Sequence, residues 1–380
     1  MRILYSHRIA SRDGQAVHLE ALVAALRGMG HEVRVVGPPS FEAAELGGEN
    51  RLVSLVRSRL PGAAAELAEM AYSLPSYRRL ARAAAEFRPD VIYERYNLFY
   101  VSGAVLARRL RLPFLVEVNA PLAEERLRFG GLRLQRLARA TEAHVWRTAD
   151  RVLPVTDVLA GHVSAAGVQR DRITVIPNGI HLEDFPDTDT GPPGDEVVLG
   201  FVGFVRDWHG LDRVVRAIAT APPLPRLSLV VAGEGPARPG LERLAAELGV
   251  ADRVRFTGLV GRDAIPGVVA GFDVALQPAV VAYASPLKAF EYMAAARAIV
   301  APDQPNIREI LEHGRTALLF DPAAPGAMWD AISRLVTDAP LRATLGAAAR
   351  AEVICRDLTW EGNARRVTAI FEEELARRSA

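Results

Sequence analysis

Residues 2–36, RILYSHRIASRDGQAVHLEALVAALRGMGHEVRVV, decide the fold. Arg2–Ser6 (RILYS) is a short apolar run suited to a buried strand. Val17–Leu26 spaces its apolar residues at the helical period and stops near Gly28 and Gly30, and Glu32–Val36 (EVRVV) is a second strand ahead of Pro38–Pro39. Strand, helix and strand in that order make a βαβ unit with parallel strands. The rhythm continues through Asp90–Tyr93 (DVIY), a helical stretch Val101–Arg109, and Phe114–Val118 (FLVEV). An arginine-studded helical region follows over Glu124–Thr148, then strands at Arg151–Val155 and Ile173–Ile176. Beyond the polar, Gly- and Pro-rich Asp187–Asp195 (DTDTGPPGD) the alternation restarts. Its strands are Val197–Phe201, Leu227–Ala232, Val254–Thr257, Val274–Gln277, Ala298–Ala301 and Ala317–Phe320. The fold class is α/β, with two halves each built on a parallel sheet covered by helices.

The 380 residues exceed what one core usually supports, in keeping with two domains. With 46 Lys plus Arg against 45 Asp plus Glu, no global field favours nucleic acid as a partner. Cys355 is the single cysteine, so internal disulfides and thiolate-rich metal sites are excluded and a cytoplasmic setting is expected. The start of the chain lacks a signal-peptide core, and no segment is long and apolar enough to span a bilayer. Lys288 is the only lysine. In a chain that uses arginine wherever a positive charge is needed, a retained lysine asks for a specific reason.

In open parallel sheets ligands lie beyond the carboxyl ends of strands. After the first strand, Ser11–Gln15 precedes a helix, and Gly14 there lets backbone approach an anion or sugar or is simply a turn glycine; GxGxxG is absent. After the first strand of the second half, GFVRDWHG (203–210) offers Gly203, Arg206, His209 and Gly210. Arg206 suits phosphate oxygens or is a surface charge. In ASPLKAFEYMAA (284–295), Ser285 reads as an N-cap and Pro286 as the first helical residue, which places Lys288 in the first turn. A cation there opposes the helix dipole unless an anion is shared between them. Glu291, three residues on, either pairs with Lys288 or accepts hydroxyls of a sugar. Arg126, Arg128, Arg133, Arg136 and Arg139, interleaved with Leu127, Leu134 and Leu137, read as a solvated face or as a surface for anionic membranes.

Several of these stretches, in this order, resemble family 4 of the retaining glycosyltransferases, group 1 type: GFVRDWHG, LVVAGEGP (229–236), VRFTGLV (254–260), SPLKAFEYMA (285–294) and NIREILEHGRTALLFDP (306–322). VTDVLAGHV (155–163) and ITVIPNGIHLEDF (173–185) extend the likeness over nearly the whole chain. The resemblance implies GT-B architecture, two Rossmann-like domains facing each other across a cleft. The acceptor side is 1–186, the linker 187–195, the donor side 196–358, and a terminal helix 359–380 crosses back. It further implies a nucleotide-sugar donor, a hydroxyl acceptor such as a glycan or lipid-linked sugar, retention, and no metal or other cofactor.

By motif, Glu291 is expected on the donor ribose, and Lys288 and Arg206 on the diphosphate. His209 replaces the family's usual lysine, and Tyr283 stands where its first glutamate often sits; the backbone N–H groups from Ala284 to Leu287, those of Ala284, Ser285 and Leu287 around Pro286, are then left to hold the sugar. Gly14, His18 and Asn119 are expected to line the acceptor side, with His18 in catalysis. The competing readings are an epimerase of the same architecture and a non-catalytic sugar-nucleotide-binding partner. Peripheral contact with the inner membrane face is a further expectation from the arginine-rich stretch.

Overall fold

The computed structural model describes residues 1–9, 14–38, 62–186, 196–221 and 226–379. The expected linker 187–195 and the loop residues Ser11, Arg12 and Asp13 lie outside these. The chain divides into two compact units: residues 1–177, 283–285 and 360–380 form the first, residues 178–282 and 286–359 the second.

The first unit has five parallel strands, β1 (Arg2–Ser6), β2 (Glu32–Val36), β3 (Val91–Arg95), β4 (Phe114–Val118) and β5 (Arg151–Pro154), in the order β2-β1-β3-β4-β5. Every residue of β3 and β4 is buried, as both-face coverage by helices requires. Chain order reverses between β1 and β3, so the crevice at their carboxyl ends is the switch point of this sheet. The terminal helix Trp360–Ser379 belongs to this unit. Arg151 fastens it through Glu373 (2.5 Å) and Glu374 (2.7 Å), and His31 Nε2 meets Thr368 Oγ1 at 2.9 Å.

The second unit has six strands, β6 (Glu196–Val202), β7 (Arg226–Ala232), β8 (Val254–Gly258), β9 (Val274–Leu276), β10 (Ala298–Pro302) and β11 (Leu318–Phe320). Their order is β11-β10-β9-β6-β7-β8, all parallel, with the switch point between β6 and β9.

Two expected elements differ. The helical region Glu124–Thr148 is two helices, Leu122–Phe129 and Gln135–Thr148. The break falls at Gly130–Gly131, where Gly131 takes φ 68°, and buried Glu66 holds the next helix start by accepting from the amides of Arg133 (2.8 Å) and Leu134 (2.6 Å). Ile173–Ile176 is not a strand. A 3₁₀ turn at Arg170–Arg172 delivers the chain to the edge of β5, where only Ile173 forms a bridge, with Val152.

Candidate active site

The second unit's switch point is built from the ends of β6 and β9 and from the helix Leu287–Ala294. Tyr292, fully buried on that helix, ties the three together: its hydroxyl accepts from Val202 N (3.0 Å) and donates to Leu276 O (3.3 Å). The helix starts one residue later than expected. Pro286, at φ −76° and ψ 114°, is still extended and occupies the cap position, and no side chain caps the helix, so Ser285 is not its N-cap. Leu287 is the first helical residue and Lys288 the second, still inside the first turn.

The Lys288 ammonium lies over the Phe201 ring, 3.8 Å from its centroid, a cation held on the aromatic side chain of β6. Gly203, at φ 128°, makes the room: a Cβ there would sit 3.1 Å from Lys288 Nζ. Gly233, at φ 150°, lets the next strand end approach; a Cβ there would be 2.0 Å from the Gly203 carbonyl oxygen. Among the described residues neither Lys288 nor Glu291 has an ion-pair partner, so the i,i+3 pair does not form. Burial draws the Lys288 ammonium down to about 7 against the pull of Glu291, and pushes the Glu291 carboxyl up to about 7 against Lys288 and Arg262. A partly buried cation and carboxylate, held one turn apart without closing on each other, are unused charge at the place where a parallel sheet binds ligands.

His209 is neutral. Burial, then Lys288 and Arg206, draw it down to about 3, and its Nδ1 accepts from Arg206 N at 3.2 Å, which leaves the ring proton on Nε2. The site therefore has a donor there and no second cation. Arg206 itself is exposed, its guanidinium 4.8 Å from the Phe204 ring centroid.

In the first unit the strand ends carry a different arrangement. Glu117, 2% exposed on β4, accepts from Arg95 Nη1, from Asn119 Nδ2, from Tyr93 (2.9 Å) and Tyr5 (3.4 Å) hydroxyls, and faces His18 Nε2 at 3.0 Å. Burial alone would raise this carboxyl, but His18 and Arg95 hold it well below the usual carboxylate range. His18 is buried, with the Trp360 ring edge-on at 4.8 Å, and lines a small cavity of about 10 Å³. The expected catalytic His18 is thus part of this packed network, not an open group. Next to it Glu94 accepts from Ser6 Oγ at 2.9 Å while its other oxygen has no donor among the described residues, and burial pushes it up to about 8.

Family models now bear on these two strand edges. One described as Glycosyl transferases group 1 matches residues 196–338, and one described as Glycosyltransferase Family 4 matches residues 12–184. A D-inositol 3-phosphate glycosyltransferase of Acidothermus cellulolyticus is 31% identical over 316 residues, 76% of this chain and 68% of that one. The chain belongs to the group 1 glycosyltransferases. An α-D-kanosaminyltransferase of Streptomyces kanamyceticus is 26% identical over 63% of this chain, and the match spans 65% of that relative, just under two thirds of its length. Among solved structures, Anabaena Alr3699/HepE in complex with UDP superposes with a TM-score of 0.76 at 17% identity, covering 98% of this chain and 100% of that one. WaaG, a glycosyltransferase involved in lipopolysaccharide biosynthesis, does so with a TM-score of 0.68 at 17% identity, over 97% and 99%. The fold is GT-B.

In this glycosyltransferase the structure brings Lys288, Gly203, His209 and Glu291 into one neighbourhood, with Arg206 at its edge. Tyr283 and Ser285 count with the first unit. There the Tyr283 hydroxyl donates to Glu125, and its carbonyl accepts from Thr156 Oγ1 at 2.9 Å. Asn119 is tied to Glu117, and Gly14 opens the helix Gly14–Gly28. Sequence reasoning missed Phe201, Tyr292 and Arg262, and, of the Glu117 network, all but His18 and Asn119. A glutamate inside the otherwise apolar FLVEV was the available signal.

Proposed function

We infer that this chain transfers a sugar from a nucleoside-diphosphate sugar to a hydroxyl acceptor, with retention and without a metal ion. The observation that carries the reading is the unpaired Lys288 ammonium in the first turn of a helix at the switch point, with neutral His209 and the carboxylate of Glu291 beside it. As the glycosidic bond breaks, negative charge grows on the departing diphosphate and positive charge on the sugar ring. Lys288 and the free N–H groups of the helix start oppose the first of these charges, and they do so most strongly in the transition state. Glu291 is suited to accept from ribose hydroxyls. Retention accords with attack on the leaving group's own face, with the diphosphate receiving the acceptor's proton. The name of the Anabaena neighbour's complex makes UDP and its sugars the first donors to try.

The test is a transfer assay with UDP-sugars and a panel of hydroxyl acceptors in excess chelator. Loss of turnover that magnesium restores would remove metal independence. An isomerised sugar nucleotide formed without acceptor would indicate the epimerase, and tight UDP binding without turnover on any acceptor would indicate the binding partner.

A further inference from the structure

The part of the loop after β9 that belongs to the second unit, residues 277–282, is held by two buried carboxamides. Gln277, 2% exposed, is the first residue past β9 and so stands at the switch point; its backbone N–H continues the sheet to Val300 O (2.9 Å). Its side-chain Nε2 donates to Ala279 O at 2.6 Å. Asn306, 1% exposed in the short helix after β10, donates through Nδ2 to Val281 O at 3.2 Å. Within the second unit, then, alternate carbonyls of one loop are engaged by two side-chain amides, one from Gln277 at the loop's own start after β9 and one from Asn306 in the short helix that follows β10. Beyond the loop, the helix is fixed to β6 and β9 by Tyr292, so the loop pins and Tyr292 bracket the turn that bears Lys288. Gln277 Oε1 is buried and has no donor among the described residues, so bonding within the protein through Nε2 is the side chain's visible task.

We propose that Gln277 and Asn306 are positioning residues for the donor site, setting the loop so that the Lys288 ammonium rests over Phe201 where a diphosphate is met. The proposal deepens the donor-site reading above and rests on it. A loop without its pins keeps its residues but spreads Lys288 over several positions, and misplacement of a charged group by a fraction of an ångström weakens both binding and catalysis.

The experiment is a double-mutant cycle on the full chain, read by calorimetric binding of UDP and by melting curves. Gln277→Met keeps length and removes the donor, and Asn306→Asp removes the second pin. Each is expected to weaken UDP about fivefold to tenfold, the range of one hydrogen bond, and to lower the melting temperature as well, because a buried carbonyl loses its donor; the cycle, not the melting curve, separates positioning from stability. In the Lys288→Ala background the same changes are expected to have no further effect, because the group they position is gone. Gln277→Glu supplies a rescue: when its acid is protonated it can donate to Ala279 O, so UDP affinity relative to wild type at the same pH is expected to recover as pH falls in that variant and not in Gln277→Met. Losses that simply add in the Lys288→Ala background, or pins whose removal leaves UDP affinity at the wild-type value, would overturn the proposal while leaving the donor site intact. Wild-type protein that binds no UDP or other nucleoside diphosphate would overturn the donor-site reading itself, and this proposal with it.

Discussion

The carboxyl edges of the two sheets handle buried charge in opposite ways. In the first unit Glu117 is surrounded by donors, Arg95, His18, Asn119, Tyr93 and Tyr5, and stays ionised. Glu94, which among the described residues has a donor on only one oxygen, is pushed toward its neutral form. In the second unit Lys288 and Glu291 have no such company and are both drawn toward neutrality. Satisfied charge is structure, because it lowers the energy of the fold with nothing bound. Unsatisfied charge at a switch point costs stability in the free protein and recovers it when a ligand arrives.

The largest expected effect tests the satisfied side. Glu117→Gln leaves Arg95 buried without its counter-charge, and loss of one partner of a buried pair typically costs about 3–5 kcal/mol. A denaturant titration at pH 7 reads it. Because the folded carboxyl is held well below its unfolded value, the Glu117 contribution is fully present above about pH 4 and is lost progressively as pH falls from there toward the folded carboxyl's own lower value. The variant is therefore expected to converge on wild type in acid. Equal stability at pH 7 would show that the network is ornamental and break the contrast.

Next in size is Lys288→Ala, expected to lower kcat by about 2–4 kcal/mol of transition-state stabilisation, as removal of a preorganised donor does elsewhere, with no loss of stability. Lys288→Arg is expected to fall between, because a planar guanidinium does not replace a compact ammonium over one ring. Steady-state kinetics beside melting curves decide it; wild-type turnover in the arginine variant would mean the lysine is only a charge.

The strands were legible because β3, β4 and most of β6, β7 and β10 are buried on both faces and so read as apolar runs. Lys288 was legible through composition, as one lysine among arginines, and Glu291 through its spacing from it. What stayed hidden depends on distance along the chain. Apart from the adjacent Asn119, Glu117 draws its partners from residues 5, 18, 93 and 95, and no window around FLVEV contains those. Phe201 reaches Lys288 only after β6 and the helix are placed side by side, and the loop pins depend on strand order, which periodicity does not set. The helix break at Gly130–Gly131 was missed for a different reason: arginine and leucine spacing continues across it, and the tertiary bonds from Glu66 decide where the second helix starts.

A smaller effect sharpens the unsatisfied side. A diphosphate beside Lys288 favours its charged form, so the bound lysine titrates above about 7 and UDP affinity falls as pH rises past that value, by up to roughly tenfold per unit. Glu291 acts on the other limb: protonated below about 7, it loses the ability to accept a ribose hydroxyl in its ionised form. Neutral His209 adds no limb in this range. Binding calorimetry from pH 5.5 to 9 is expected to show a maximum near 7, with Lys288→Ala removing the alkaline limb and Glu291→Gln the acid one.

The smallest effect carries the comparison to its limit, because it asks the same substitution type to have the opposite sign. Lys288 is drawn down by burial, so between about 7 and the ordinary lysine value near 10.4 the unfolded chain binds more protons than the folded one. Stability of the free protein must therefore rise with pH across that window, and at pH 7 the buried ammonium is a net cost. Lys288→Met removes the cost but also the contact over Phe201, an attraction of about 0.5–2 kcal/mol, so the gain is held to about 1 kcal/mol. Free Lys288→Met is accordingly expected to melt a few degrees above wild type at pH 7, to lose that advantage progressively toward and above about pH 10.4, where the wild-type amine becomes neutral in both states, and to gain less than wild type from added UDP. Measured beside Glu117→Gln in one melting series, a loss in the first unit and a gain in the second mark which buried charge belongs to the fold and which awaits a ligand; a loss in both would place Lys288 with Glu117.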